Sequence, residues 1–263
     1  KRWKKWGQDK NKELPAFLHF DTGMNRLGLS QKEYQDLRND KTALDNINVQ
    51  MIMSHFVSAD VWAQGWAKEL TIAQSDLFSD IAVRSSNMWP NARKSLANSP
   101  GLFRNDHYHY DMVRPGYALY GGNPTPEKDN PMQAVVSLNT RILQIRECRQ
   151  HESIGYGASH KFKKDARTAT IALGYADGFL RSNSNKAVVY YNNQPCPVIG
   201  RVSMDLVTID ISNIKGKPPE QGNAIEVLGL NQSVDELAKS AGTIGYELLT
   251  SLGNRYKRKY ISA

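Results

Sequence analysis

Four polar clusters in the first half of the sequence close four apolar runs. Asp21, Asn25 and Arg26 follow "AFLHF" (Ala16 to Phe20), and His55, then Asp60, close "NVQMIMSHF" (Asn48 to Phe56). Asn98 and Ser99 end "KSLANS" (Lys94 to Ser99), and Arg114, Gly116 and Tyr117 lie in "YDMVRPGYALYG" (Tyr110 to Gly121). Carboxylate, imidazole, guanidinium and hydroxyl groups are the parts of acid–base and anion-binding sites. "ANSPG" and "RPGYALYGG" add small residues and open backbone N–H groups, which is phosphate-cradling chemistry. Taken singly, each cluster also reads as a turn or a helix cap.

The second half has its own candidates. "IGYGASH" sets Tyr156 between two glycines, and "ALGYADGF" sets Tyr175 after a glycine with Asp177 and Gly178 behind it. Such flanks let a backbone approach a ligand closely and leave the phenol uncovered. Two hairpin turns with packed tyrosines are the plainer reading. "GRVSMD" adds Arg201, Met204 and Asp205. "HYHY" (His107 to Tyr110) offers two histidines with no third ligand in sequence, too few for zinc, and no metal is expected.

The elements that must position these groups alternate up to about residue 122. Ser30 and Glu33 form a capping box for a helix to about Asn39, and a second helix is predicted from Thr71 to about Arg84. With the four apolar runs as strands, this is the pattern of βαβ units and a parallel sheet. Function in such sheets sits at the C-terminal ends of the strands, where the four clusters fall. "GGNPTPEKDNP" (Gly121 to Pro131) has linker composition. The remainder is β-rich, with Asn192–Asn193 as a hairpin turn, a capping box at Ser233 and Glu236, and a last short helix closed by Gly253. The expected division is therefore 1–122, a linker 123–131, and 132–263.

A closed (β/α)₈ barrel takes about 250 residues. The β/α part has 122, or about four units, so it reads as a small open sheet or as the second half of a barrel. In a half barrel the last two clusters would fall on the loops after strands 7 and 8, where barrel enzymes often bind phosphate. Arg114 would then lie between that phosphate and His55.

Composition narrows the partners. The chain is 40% hydrophobic, and no window approaches the run of about 18 apolar residues needed to cross a membrane. "KRWKKWGQDK" has no apolar run behind it, so no signal peptide is expected, and isolated Cys148 and Cys196 fit a reducing, cytoplasmic setting. The net charge of +8 fits nucleic acid or a phosphate-bearing small molecule. The basic runs, including "RYKRK" (Arg255 to Lys259), read as solvated surface, and Trp3 and Trp6 as one packed helix face rather than a base-stacking platform. Neither nucleic acid nor a membrane is an expected partner.

Eight segments in order, "HFDTGMNRLGL", "SHF…AD", "LANS", "VRPGYALYG", "GYGASH", "ALGYADGFLR", "GRVSMD" and "GYELLTSLGNR", resemble alanine racemase from about residue 14 onward. That family joins an N-terminal β/α barrel of TIM type to a C-terminal β domain and uses pyridoxal 5′-phosphate. The resemblance implies interconversion of L- and D-alanine through a Schiff base and two bases, supplying D-alanine for peptidoglycan. It also implies a homodimer with a shared active site. Arg26 would contact the cofactor's phenolic oxygen and help place substrate, and His55 would lie beside the ring, bonded to Arg114 opposite the pyridine nitrogen. Ser99, Gly116, Tyr117 and Tyr246 would hold the phosphate, with Asn98 beside it. Tyr156 would be one base, reaching from the partner subunit. Its pKa near 10 needs help, which the chain Tyr156–His55–Arg114 would supply. Tyr175, Met204 and Asp205 would narrow the site and bind the substrate carboxylate region, and Arg181 would stand at the entrance.

One feature departs from the family. Its cofactor lysine sits in a Lys-Ala-Asp-Ala-Tyr-type segment, and none occurs here. The departure and the residue count together predict a chain that lacks the N-terminal part of the barrel, is truncated, and is inactive alone. Two alternatives stand beside this reading: a non-catalytic module that dimerises and binds the cofactor, and a racemase of another amino acid such as serine. Ser203, beside Met204, is the residue that could alter access.

Overall fold

The structure is a computed structural model that describes residues 2–40 and 42–261. Contacts divide the chain into a first unit, Lys1–Leu119 with Asn123–Pro131, and a second, Tyr120–Gly122 with Met132–Ala263.

The first unit holds a parallel sheet of β1 (Leu14–His19), β2 (Ile47–Met53) and β3 (Arg93–Ser95) in consecutive order. Helix α1 (Arg2–Asp9) precedes β1, α2 (Gln31–Asn39) and α3 (Gly65–Ser86) connect the strands, and α4 is the short turn Ser99–Leu102. The capping box forms as read: the Ser30 hydroxyl accepts from the Glu33 N–H (3.2 Å), and the Glu33 carboxylate accepts from the Ser30 N–H (2.8 Å). These bonds satisfy donors that a helix start leaves open. Helix α3 is longer than its apolar spacing predicts because Thr71, Gln74, Ser75 and Ser85 share the buried face with Ala67, Phe78, Ile81 and Ala82. Phe20, Tyr34, Ile52, Phe56, Phe78 and Tyr108 form the core, with Phe20–Tyr34 and Phe56–Tyr108 edge to face at 4.9 Å.

Three expectations are corrected here. The fourth strand does not form, so three strands in an open row stand where four strands of a half barrel were expected. A single parallel bridge, Asn98↔Arg114, is made before Pro115, which has no N–H to continue a ladder, and the chain then turns into a 3₁₀ helix at Ala118–Tyr120. Trp3 and Trp6 do not form a packed face. They stack on each other at 5.8 Å and stay about half exposed. Residues 123–131 are no free linker: buried Arg104 pairs with Glu127 and bonds the Ala59 carbonyl (2.8 Å), which ties the segment to the first unit.

The second unit is a closed antiparallel barrel in the order β10-β7-β4-β11-β8-β9, with β9 pairing back to β10. Its strands are β4 (Leu138–Cys148), β7 (Ala166–Ala172), β8 (Val188–Tyr191), β9 (Gln194–Ile199), β10 (Leu206–Asp210) and β11 (Ala224–Leu228). A separate two-stranded ribbon pairs β5 (Ser153–Ile154) with β6 (His160–Lys161). Ile142, Ile171, Val189, Val198, Ile209, Ile225 and Val227 are buried, as the period-2 pattern requires. Asn192 and Asn193 take positive φ (45° and 62°) in the expected hairpin. Helix α5 (Val234–Ala241) carries the second capping box and ends on left-handed Gly242. Helix α6 (Gly245–Ser251) instead stops at Leu252 in an extended conformation, without using Gly253. Among the described residues no helix is long and apolar enough to cross a membrane, and no three metal-ligating side chains group together.

Candidate active site

In the first unit the loop after β1 is shaped by Asp21. Its Oδ1 accepts from the N–H groups of Gly23 (2.9 Å), Met24 (2.9 Å) and Asn25 (3.1 Å). Burial alone would raise this carboxyl, but these bonds outweigh it and hold its pKa below the usual range. The loop returns on Gly28 at φ 113°, where a Cβ would lie 2.8 Å from the Asp21 nitrogen, so only glycine fits. Arg26 projects from this loop, exposed.

Past the end of β2, His55 lies against Arg114, with Nδ1 3.3 Å from a guanidinium nitrogen. The same guanidinium donates to Ser95 Oγ and to the carbonyls of Ser54 and Leu96. Arginine can only donate. At this contact His55 Nδ1 is therefore the acceptor, while Nε2 lies 3.5 Å from Asn98 Nδ2. Burial, then the positive charges of Arg114 and Arg26, then His19, push the His55 pKa down to about 4, so the ring is neutral at pH 7. His19, at the end of β1, is lowered too, first by burial and then by Arg114.

Asn98 caps the turn of α4, with Oδ1 accepting from Gly101 N–H (3.1 Å) and Nδ2 donating to the Phe56 carbonyl (3.3 Å). Buried Ser99 accepts from the Ala118 N–H (3.1 Å). Gly116 is exposed, with no atom within 4 Å of the place a Cβ would occupy, while Tyr117 is buried. The structure thus brings His55, Arg114 and Asn98 together, with Ser99 and Tyr117 on the adjoining turns.

In the second unit Tyr175, Met204 and Asp205 come together. Tyr175 N–H donates to the Ser203 carbonyl and Ala176 N–H to the Met204 carbonyl, both at 3.0 Å. Arg255 holds this pair of loops by bonding Asp205 (2.6 Å) and Asp177 (3.3 Å). Tyr156 stands apart on the β5–β6 turn, 71% exposed, with the Arg201 guanidinium packed against Gly157 behind it. Arg181 is exposed in a 3₁₀ turn, and Tyr246 lies partly exposed on α6. Sequence reasoning missed Gln74, Ser95 and the pairing of Arg255. The one available signal was the set of polar residues, Thr71 and Gln74 among them, on the buried face of α3.

Two family models match the chain: alanine racemase, N-terminal domain, over residues 1–124, and alanine racemase, C-terminal domain, over residues 135–260. The alanine racemase of Rickettsia bellii is 42% identical over 261 residues, covering 99% of this chain and 62% of that protein. That of Acidiphilium cryptum is 44% identical over 257 residues, covering 98% and 69%. Among solved structures, alanine racemase from Bartonella henselae with covalently bound pyridoxal phosphate superposes with a TM-score of 0.87 at 36% identity, covering 99% of this chain and 70% of that one. The biosynthetic alanine racemase of Pseudomonas aeruginosa gives 0.85 at 29% identity, covering all of this chain and 72% of the other. The chain therefore spans about two thirds of the length of its relatives, and less than that of the Rickettsia protein. The expectation that the N-terminal part of the barrel is lacking is not supported, since residues 1–124 match the N-terminal domain model, and truncation and inactivity are not supported either. With both domain models matched in order and a relative 44% identical over 69% of its length, this chain belongs to the alanine racemase family.

Proposed function

We propose that this chain carries the cofactor site of an enzyme that interconverts L- and D-alanine with pyridoxal 5′-phosphate. The observation that carries the reading is the half-buried contact of an always-charged guanidinium with a neutral imidazole, Arg114 against His55. The donor set suits an anionic pyridine ligand, and Gly116 leaves open space beside the Ser99 turn. When bound, the cofactor supplies an electron sink that acidifies the Cα–H of an amino acid.

On this reading Ser99, Gly116 and Tyr117 hold the phosphate with Asn98 beside them, and the family resemblance adds Tyr246. Arg114 faces the pyridine nitrogen and keeps it unprotonated, because a guanidinium does not give up its proton. That weakens the sink and favours racemisation over side reactions. Arg26 binds the phenolic oxygen and orients substrate. Tyr156, exposed on its turn, moves a proton at the substrate Cα from the partner subunit of a homodimer. Tyr175, Met204 and Asp205 bound the substrate carboxylate region. The barrel part ends near residue 122, the β domain starts near 132, and the enzyme works in the cytoplasm to supply D-alanine for peptidoglycan. The family's cofactor lysine is not among these 263 residues on this reading.

The test is a titration of the purified chain with pyridoxal 5′-phosphate, followed by absorbance, with Gly116→Val as the blocked variant. Saturable binding is expected, weakened at least about tenfold by a side chain that fills the open space at Gly116. Both alanine enantiomers are expected to shift the bound cofactor's absorbance more than serine does. Borohydride reduction and mass spectrometry are expected to find no cofactor-labelled lysine. Absent saturable binding, or equal binding by Gly116→Val, overturns the reading.

A further inference from the structure

We infer that Gln74, on α3, is the positioning residue that holds His55 against Arg114. The inference rests on the assignment of His55 to the cofactor site, and its test needs no cofactor. Strand pairing past β2 ends with Ser54, whose N–H donates to the Ser95 carbonyl (3.1 Å). Residues 55–57 then take their backbone hydrogen bonds from side chains. Gln74 Nε2 donates to the His55 carbonyl (3.0 Å), and Gln74 Oε1 accepts from the Val57 N–H (3.1 Å). From the other side, Asn98 Nδ2 donates to the Phe56 carbonyl. One amide therefore grips the segment on both sides of the residue between.

Gln74 also reaches across to the loop that follows β1. Its Nε2 lies 3.4 Å from Thr22 Oγ1, and that hydroxyl is 2.7 Å from Ser54 Oγ. The Ser54 carbonyl in turn accepts from Arg114. Gln74 is fully buried on a face it shares with Ala67, Phe78 and Ile81. An amide is costly there unless its polar atoms are paired. Among the described residues its hydrogen-bond partners are the His55 carbonyl, the Val57 N–H and the Thr22 hydroxyl in the loop after β1, so the amide's role at this position is to fix the 55–57 segment.

The charged and titratable groups facing His55 are Arg114, Arg26 and His19. If Gln74 lets go, the 55–57 segment relaxes, the ring gains water and moves off Arg114, and both causes of its low pKa weaken. The experiment is an NMR titration of the full chain with ¹⁵N-labelled histidine, His55 being assigned through His55→Gln. Wild type is expected to titrate near 4 at this residue. In Gln74→Leu the His55 midpoint is expected to rise by more than about one pH unit. His107, His109, His151 and His160 are expected to stay in place. Gln74→Asn is the second variant. It keeps an amide but is one methylene too short to grip both sides, so it should also raise the His55 midpoint. Tryptophan fluorescence identifies the folded samples. A folded variant with an unmoved His55, or with all histidines moving together, overturns the inference. Failure of cofactor binding would overturn the proposed function alone, because this titration is read without the cofactor.

Discussion

Gly174→Ala should separate the two loops that carry Tyr175 and Met204. At position 174 the backbone is extended (φ −164°), a conformation any residue adopts, so the substitution brings no backbone strain. The conflict is purely one of approach. A Cβ there would lie 2.0 Å from the Met204 carbonyl oxygen and 2.5 Å from the Asp205 nitrogen. All the nearest atoms are backbone, so no side chain can swing aside and the loops must part by about 1 Å or more to reach ordinary contact. Parting stretches the bonds from Tyr175 N–H to Ser203 and from Ala176 N–H to Met204. Two hydrogen bonds at about 1 kcal/mol each, plus about 1–2 kcal/mol of overpacking, give a loss of roughly 3 kcal/mol. For a unit of this size that lowers Tm by roughly 10 °C. The control is Gly65→Ala at the start of α3, where a Cβ meets no atom within 4 Å and the change should be neutral or slightly stabilising. Thermal unfolding followed by far-UV circular dichroism reads both variants. If Gly174→Ala melts within about 2 °C of Gly65→Ala, the close approach does not exist and the reasoning fails.

Two further outcomes follow from the first unit. His55 has a folded pKa of about 4 against an ordinary 6.5, so the unfolded chain binds its proton first as pH falls. Its contribution is therefore complete above pH 6.5 and lost as pH drops toward 4. The ceiling is about 3 kcal/mol, and with the ring partly exposed roughly 1–2 kcal/mol should remain. Urea midpoints measured from pH 7 to 4 should fall less steeply in His55→Gln than in wild type, and parallel slopes would refute this. Arg104→Met strands the Glu127 carboxylate and the Ala59 carbonyl, and should cost about 2–4 kcal/mol, part of it recovered by adding Glu127→Gln. All five tryptophans lie between residues 3 and 89, so fluorescence-detected urea unfolding reports on this unit. An unchanged midpoint in Arg104→Met would mean that the ion pair does not form.

Much of this protein is local and was readable in the chain. Both capping boxes follow from a serine and a glutamate three residues apart, a spacing that closes two hydrogen bonds in any context. The Asn192–Asn193 hairpin follows from two residues that tolerate positive φ between alternating apolar runs. The two-part organisation shows in the change of hydrophobic period, and the order of the eight segments carried the family. Three-dimensional packing overruled the rest. "YDMVRPGYALYG" has the composition of a strand, yet Pro115 cannot donate and the chain turns away after one bridge. The segment 123–131 has the composition of a linker, yet one buried arginine anchors it.

By itself the sequence determined which chemical groups are present and which local turns display them, because both depend on residues a few positions apart. Only the tertiary structure decided that His55 is neutral and that Arg255 ties Asp177 to Asp205. Those facts depend on burial and on charges brought together from positions tens of residues apart, which no local pattern encodes.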